Sequence, residues 1–164
     1  MLLAAAAGVL ALPAPASAAP SCSERGATAA VRSTAFGAQV RKSGIVRPGE
    51  RVLGLFGVYR VFCPDLFGSG RPEMVVELAC CTVSSPDPWA IFSARGNAWR
   101  LRFSRVRADV RRLRVGRFRV YGRVRRAVQE KLAVLRPTDP NCCPSGYRYR
   151  YTYLSGRHFR VVRG

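Results

Sequence analysis

Residues 89–103 read WAIFSARGNAWRLRF, and this stretch carries the clearest structural signal in the chain. Two segments rich in apolar and aromatic residues, Trp89 to Ala94 and Ala98 to Phe103, flank the tripeptide Arg95-Gly96-Asn97. Such residues favour strands, and a Gly-containing tripeptide between two such segments is typical of a hairpin loop. Strands joined by so short a loop run antiparallel. We therefore predict a β-hairpin here.

The same pattern extends in both directions. From Arg51 onward, side chains alternate with the period of two that is typical of strands. This alternation predicts further strands at Val58 to Cys63, Glu73 to Val83, Tyr147 to Leu154 and His158 to Val162. The last two flank a Ser-Gly-Arg loop and form a second hairpin.

One helix is predicted before these strands. Ser21 or Ser23 can cap a helix that runs through Glu24 to Val31, because Ala is abundant there and an acid occupies the first turn. We therefore expect a mainly β fold, an antiparallel sheet of hairpins with one short N-terminal helix. An α+β fold is the alternative.

The N-terminus indicates export from the cytoplasm. Residues 1–12 are apolar, and Ala16-Ser17-Ala18 follows as a small-residue cleavage pattern. We predict a signal peptide at 1–18 and a single β-rich domain at 19–164, secreted or extracytoplasmic. The apolar segment is shorter than the roughly 20 residues that span a bilayer, so no transmembrane segment is expected. The alternative is a lipid anchor on Cys22.

The six cysteines predict a disulfide framework. Adjacent Cα atoms lie about 3.8 Å apart, closer than the roughly 4.4 Å at which unstrained disulfides begin, which disfavours bonds within Cys80-Cys81 or Cys142-Cys143. We therefore expect each dipeptide to pair with the other, and Cys22 to pair with Cys63. A redox switch or soft-metal site is the alternative, although the chain has one His and no CxxC spacing.

The nine residues DLFGSGRPE, which begin at Asp65, resemble the calcium loop of FG-GAP or VCBS-type repeats. In such loops alternate oxygen-bearing side chains bind Ca²⁺ and Gly permits the sharp turn. Asp65 and Glu73 match the first and last positions, but Phe67 and Ser69 replace expected ligands, and Arg71 adds a positive charge. We predict no bound metal and no cofactor. Asp65 and Glu73 are instead expected to bind backbone N–H groups or Arg71.

A broader resemblance rests on several short segments. These are Cys63-Pro64-Asp65, ACCTVSSP at 79–86, PWAIF at 88–92 and DPNCCPSG at 139–146. They look like segments of uncharacterised secreted or lipid-anchored proteins of high-GC bacteria, which also end in a hairpin rich in Tyr and Arg. The resemblance implies an extracytoplasmic β-rich domain and no particular activity.

Charge is the strongest functional signal in the sequence. Lys and Arg number 28 and Asp and Glu number 9, which gives a net charge of +19. Between Arg95 and Arg126, Arg alternates with apolar residues, which predicts strands with one apolar and one cationic face. We predict that six arginines form an anion-binding face: Arg100, Arg102, Arg112, Arg114, Arg117 and Arg119.

The expected partners of this face are anionic polymers, anionic lipid headgroups or extracellular nucleic acid, bound without sequence specificity. Alternating Tyr and Arg at 147–153 could extend the face. No motif of a dedicated nucleic-acid reader is present. The alternative is a solvated face whose charges discourage aggregation between sheet edges.

Motifs for catalysis are weak. His158 is the single His, and no G-x-S-x-G motif accompanies it. Glu73 and Glu77 are the most suggestive carboxylate pair, but both could equally bind Arg on neighbouring strands. We therefore predict a non-enzymatic binding or structural module at the cell envelope. The alternative is a secreted hydrolase that uses carboxylates near Asp65 and Glu73.

Overall fold

The computed structural model describes residues 19–46, 51–79, 87–106, 110–140 and 143–164. The predicted signal peptide at 1–18 lies outside the described residues, as do Cys80, Cys81 and Cys142. The predicted pairing between the two Cys-Cys dipeptides therefore stays a prediction.

Three helices precede the strands. The predicted helix is present as α1 (Glu24–Ser33), and the Ser23 hydroxyl caps it by accepting the N–H of Gly26 at 3.1 Å. Two further helices, α2 (Ala35–Lys42) and the single turn α3 (Val52–Leu55), were not predicted. Thr34 accepts the N–H of Phe36 and so begins α2 directly after α1, with only one residue between them.

Eight strands lie in the described residues, and 51% of those residues are in strands, which confirms the mainly β prediction. The strands are β1 (Gly57–Phe62), β2 (Met74–Ala79), β3 (Trp89–Arg95), β4 (Ala98–Arg105), β5 (Val110–Val120), β6 (Arg123–Val134), β7 (Gly146–Ser155) and β8 (His158–Arg163). Each of the described pairs is antiparallel. Both predicted hairpins are present as β3–β4 and β7–β8.

The strands form two sheets rather than one. β1 to β4 make the first sheet and β5 to β8 the second, each in sequential order. The helices pack on β1 and β4, so the first sheet lies between the helical layer and the second sheet. Because both of its faces are covered, β2 and the first four residues of β3 are buried almost completely, and these segments are mainly apolar.

Two hydrophobic clusters hold these layers together. On the helical side, Phe36 and Val40 pack with Phe92 of β3. Between the sheets, Trp89 packs in one cluster with Leu113 of β5. Burial of each large apolar side chain stabilises the fold by about 1.5 to 3 kcal/mol relative to its exposure.

A disulfide joins Cys22 and Cys63, as predicted. Their Cα atoms are 6.0 Å apart, and the bond ties the segment before α1 to the residue after β1. Closing a loop across 41 residues stabilises the protein by about 4 kcal/mol in the chain-entropy description. Because the Cys22 sulfur is bonded to Cys63, it offers no thiol for a lipid anchor.

Candidate anion-binding face

The predicted arginine face does not form a single surface. β5 pairs with β6 without irregularity from Arg112 to Val120, so neighbouring residues there point to opposite sides. Leu113 packs toward the first sheet, whereas Val120 packs in a separate cluster with Ala127 and Tyr153. Arg112 and Arg114 therefore lie on the outer face of the second sheet. Arg117 and Arg119 share the side of Leu113, which corrects the prediction.

The reason is that the apolar residues of β5 change from odd-numbered to even-numbered positions along the strand. Apolar residues occupy odd positions at Leu113 and Val115 but even positions at Phe118 and Val120. No bulge lies between them to absorb the shift, so the flanking arginines change sides. Counting positions along β5 would have revealed this change.

Arg100 and Arg102 belong to β4 of the first sheet. The β3–β4 pairing shifts register, because Ile91 pairs with Phe103 and the next residue, Phe92, pairs with Leu101. Arg102 is the extra residue at this irregularity, and its guanidinium lies 5.4 Å from the centre of the Phe67 ring. All six predicted arginines are exposed, but they are divided between the two sheets.

The outer face of the second sheet combines cations with tyrosines, and we call it the Tyr/Arg face. The strand register places Arg112 beside Lys131, and Lys131 beside Tyr149. The neighbouring row runs from Arg114 through Gln129 to Tyr151. The face comprises Arg112, Arg114, Arg125, Gln129, Lys131, Tyr147, Tyr149, Tyr151 and Tyr153.

Contacts within the Tyr/Arg face order its side chains. The Lys131 ammonium lies 3.6 Å from the centre of the Tyr147 ring, and the Arg125 guanidinium lies 4.7 Å from that of Tyr153. The Gln129 amide donates to the Tyr151 hydroxyl at 2.9 Å. Cation–ring contacts hold cations in place without neutralising them. A shallow depression of about 90 Å³ lies among Arg112, Arg114, Gln129, Lys131 and Tyr149.

The Tyr/Arg face carries cationic side chains but no acidic side chain from its own strands. The strands β5, β6, β7 and β8 contain one carboxylate, Glu130, which is fully buried on the opposite side of the sheet. Among the residues that the structure describes, Arg112, Arg114 and Lys131 form no ion pair. Their positive charge is therefore available to an external anion.

The alternating Tyr and Arg of β7 serve two different surfaces. Tyr147 and Tyr149 are exposed on the outer face, by 49% and 40% respectively. Arg150 points inward, where its Nη2 donates to Glu130 Oε1 at 2.7 Å. The rings of β7 thus extend the cationic surface, while Arg150 has a structural role.

The loop from Asp65 to Glu73 is held by its own carboxylates. Glu73 Oε2 accepts the N–H groups of Leu66 at 2.7 Å and Phe67 at 3.2 Å. Asp65 Oδ1 accepts the N–H of Ser69 at 2.9 Å. The expectation that both carboxylates bind backbone N–H groups is confirmed.

The arginine that pairs with Asp65 is not the one that the sequence suggested. Arg126 of β6 donates to Asp65 Oδ2 at 3.0 Å, whereas Arg71 was the expected partner. Burial raises the pKa of the Glu73 carboxyl, and the two backbone donors oppose this effect. No group of three or more metal-ligating side chains occurs within the described ranges.

The carboxylates proposed for hydrolysis do not converge on a cleft. Glu73 is 3% exposed and faces its own loop, while Asp65 is engaged with Arg126. Glu77 is also buried, and this burial raises its pKa to about 7 against the attraction of Arg60. His158 lies exposed beside the β7–β8 turn. Asp65, Glu73 and Glu77 therefore do not form an opposed pair of accessible carboxyl groups.

No protein-family model, curated protein or solved structure matches this chain. Across the ranges that the structure describes, no helix is long and apolar enough to cross a membrane.

Proposed function

We propose that this protein is a non-enzymatic binding module of the cell envelope whose Tyr/Arg face binds anionic polymers. The observation that supports this function is a sheet face that the described residues leave uncovered. On it Arg112, Arg114 and Lys131 lie beside tyrosines, and no described residue opposes them with a carboxylate. The alternation in sequence suggested a cationic face, and the register of the second sheet suggests which cations belong to it.

The spacing of the cations suits a polymer that lies along the strands. Arg112 and Arg114 are two residues apart on β5, a separation of roughly 7 Å in an extended strand. Each bound phosphate or carboxylate releases counterions, so the binding free energy includes a large, salt-dependent term. The hydroxyl groups of exposed Tyr147 and Tyr149 add neutral donors, which favours polymers that also carry hydroxyl or carbonyl oxygens.

An extracytoplasmic location fits this function. The Cys22–Cys63 disulfide is of the kind that persists in oxidising compartments, and the N-terminal sequence has the pattern of a secretory signal. Envelope polymers rich in phosphate or carboxylate would be available to the protein there.

The experiment compares two charge reversals on one strand. Arg112→Glu with Arg114→Glu changes the Tyr/Arg face, whereas Arg117→Glu with Arg119→Glu makes the same change in net charge on the opposite side. Binding to a fluorescent polyphosphate would be measured by anisotropy at several salt concentrations. We expect the first pair to weaken binding at least tenfold and the second by less than threefold. Equal losses would show that the attraction is diffuse and would overturn the proposal.

A further inference from the structure

We propose that the helical layer contains a second binding site, which takes a small amphiphilic anion with an acidic head and an apolar body. The site lies on the helical layer, across the first sheet from the second sheet, and does not depend on polymer binding there. It is a cavity of about 650 Å³ between α1, α2 and α3. That volume lies within the range of roughly 300 to 1,000 Å³ that is typical of small-molecule sites.

The lining of the cavity includes apolar side chains from two helices. Val31 of α1 and Val52 of α3 are buried, and Leu53 is half-buried beside them. Gly37 of α2 also lines the cavity, and a Cβ there would lie 2.5 Å from the Val31 carbonyl oxygen. Glycine thus permits α1 and α2 to approach closely at this point. Val31 and Val52 thus form the floor of the cavity, and half-buried Leu53 offers apolar surface to the body of a ligand.

Three exposed arginines complete the lining: Arg32 near the end of α1, Arg41 near the end of α2, and Arg51 before α3. None of them forms an ion pair with a described residue. The one acid within the described helices is Glu24, which lies eight residues before Arg32, about 12 Å along α1. Three cations, one from each of three segments, thus border the cavity, and no described residue supplies a counter-charge.

This combination defines the class of ligand. An uncharged apolar molecule would leave the guanidinium groups without a partner, and a small inorganic anion would leave the apolar surface in contact with water. A carboxylate, sulfonate or phosphate head on an apolar body satisfies both, because Arg binds such heads through paired N–H donors. Long-chain carboxylates and lipid phosphates share this chemistry.

Two matched probes test the site in the full chain. 1-Anilinonaphthalene-8-sulfonate carries a sulfonate on an apolar body, and N-phenyl-1-naphthylamine has the same rings without the charge. Both would be titrated by fluorescence. We expect replacement of Arg32, Arg41 and Arg51 by Gln to lower the affinity for the sulfonate probe at least tenfold. The affinity for the neutral probe should fall by less than twofold.

Two further variants make the result specific to the cavity. Replacement of Arg25, Arg148 and Arg163 by Gln makes the same change in net charge at exposed positions that do not line the cavity. This control should change the affinity for either probe by less than twofold. Gly54→Leu should displace both probes. The nearest atom to a Cβ at Gly54 is Arg51 Cβ at 3.7 Å, so the side chain can enter the cavity without a clash.

Three outcomes would overturn this site. The first is that the Arg25/Arg148/Arg163 control loses as much affinity for the sulfonate probe as the Arg32/Arg41/Arg51 variant does. The second is that the Arg32/Arg41/Arg51 variant loses as much affinity for the neutral probe as for the sulfonate probe. The third is that Gly54→Leu binds both probes as tightly as the wild type. The Arg112/Arg114 reversal should leave both probes unaffected, which separates this site from the Tyr/Arg face. Thermal midpoints of all variants would show whether each is folded.

Discussion

The indole Nε1 of Trp89, on the first sheet, donates a hydrogen bond of 2.9 Å to Glu130 Oε1 on the second sheet. Both residues are fully buried. Arg150 donates to the same carboxylate, and the Arg105 Nε lies 3.8 Å from Glu130 Oε2. A single carboxylate thus links the two sheets. Its position on the inner side of β6 leaves the Tyr/Arg face on the outside.

Loss of the Glu130 carboxylate should strongly destabilise the fold. Glu130→Leu leaves the largely buried Arg150 guanidinium without its partner and removes the acceptor for Trp89. We expect the free energy of unfolding to fall by about 3 to 5 kcal/mol, as is typical when one partner of a buried ion pair is removed. Urea denaturation would measure this, with Lys131→Leu on the outer side of the same strand as control. A loss below about 1 kcal/mol would show that the link contributes little.

Glu77 should make stability depend on pH. Burial raises its pKa from 4.5 to about 7, a difference of about 3 kcal/mol between the two protonation states. The unfolded chain therefore releases this proton first, and the contribution of Glu77 is fully present below about pH 4.5 and is lost as the pH rises toward 7.

Glu77→Gln mimics the protonated side chain and isolates this effect. Relative to the wild type, the variant should gain up to about 3 kcal/mol of unfolding free energy at pH 8 and show little difference at pH 4. Urea denaturation across this range would measure the difference curve. A flat curve would show that the pKa of Glu77 is the same in the folded and the unfolded protein.

Two glycines of the 65–73 loop should differ in their tolerance of a side chain. Gly68 and Gly70 both have positive φ, at 71° and 75°, where any L residue is strained by about 1 kcal/mol. A Cβ at Gly68 would also lie 2.8 Å from Arg126 Nη1, whereas a Cβ at Gly70 meets open space. We expect Gly68→Ala to lower the thermal midpoint more than Gly70→Ala. Equal shifts would show that the Arg126 side chain moves aside freely.

The same loop should not respond to calcium. Asp65 binds the Ser69 N–H and Arg126, and Glu73 binds two backbone N–H groups, so an ion would have to displace these contacts. A ligand of the native state raises the thermal midpoint by mass action. We expect no shift at millimolar Ca²⁺, with Mg²⁺ as the control for ionic strength. A clear rise with Ca²⁺ alone would contradict this prediction.

Polymer binding should depend steeply on salt. If the polymer is a nucleic acid, each lost phosphate contact should reduce the slope of log affinity against log salt by about 0.7 to 0.9. Replacing Arg114 by Gln should therefore remove one contact and lower the slope by about 0.7 to 0.9. Arg119→Gln on the opposite side should leave the slope unchanged. Anisotropy titrations with a single-stranded oligonucleotide would measure both slopes.

Local signals predicted much of the fold. The turn residues at 95–97 and 155–157 indicated both hairpins, and a hydroxyl before Glu24 indicated the start of α1. Such signals act over a few residues, so they can be recognised without knowledge of the remaining chain. The residues of α3 were instead assigned to the alternating pattern, because four residues cannot distinguish a helical turn from a strand.

Composition and alternation determined that the strands have cationic and apolar sides. The spacing of the six cysteines suggested the Cys22–Cys63 bond, because the two Cys-Cys dipeptides were expected to pair with each other. Only the tertiary structure decided which side of each strand is covered. Alternation shows that two faces differ. The packing of the first sheet against Leu113 places Arg117, which stays exposed, on the inner side of the second sheet and Arg112 on its outer side. Likewise, Arg126 binds Asp65 across 61 residues of sequence, because the packing of the two sheets brings β6 to the loop. Contacts between distant segments depend on how the layers pack. A local pattern of residues does not specify that packing, because it reflects only interactions between neighbours in the sequence.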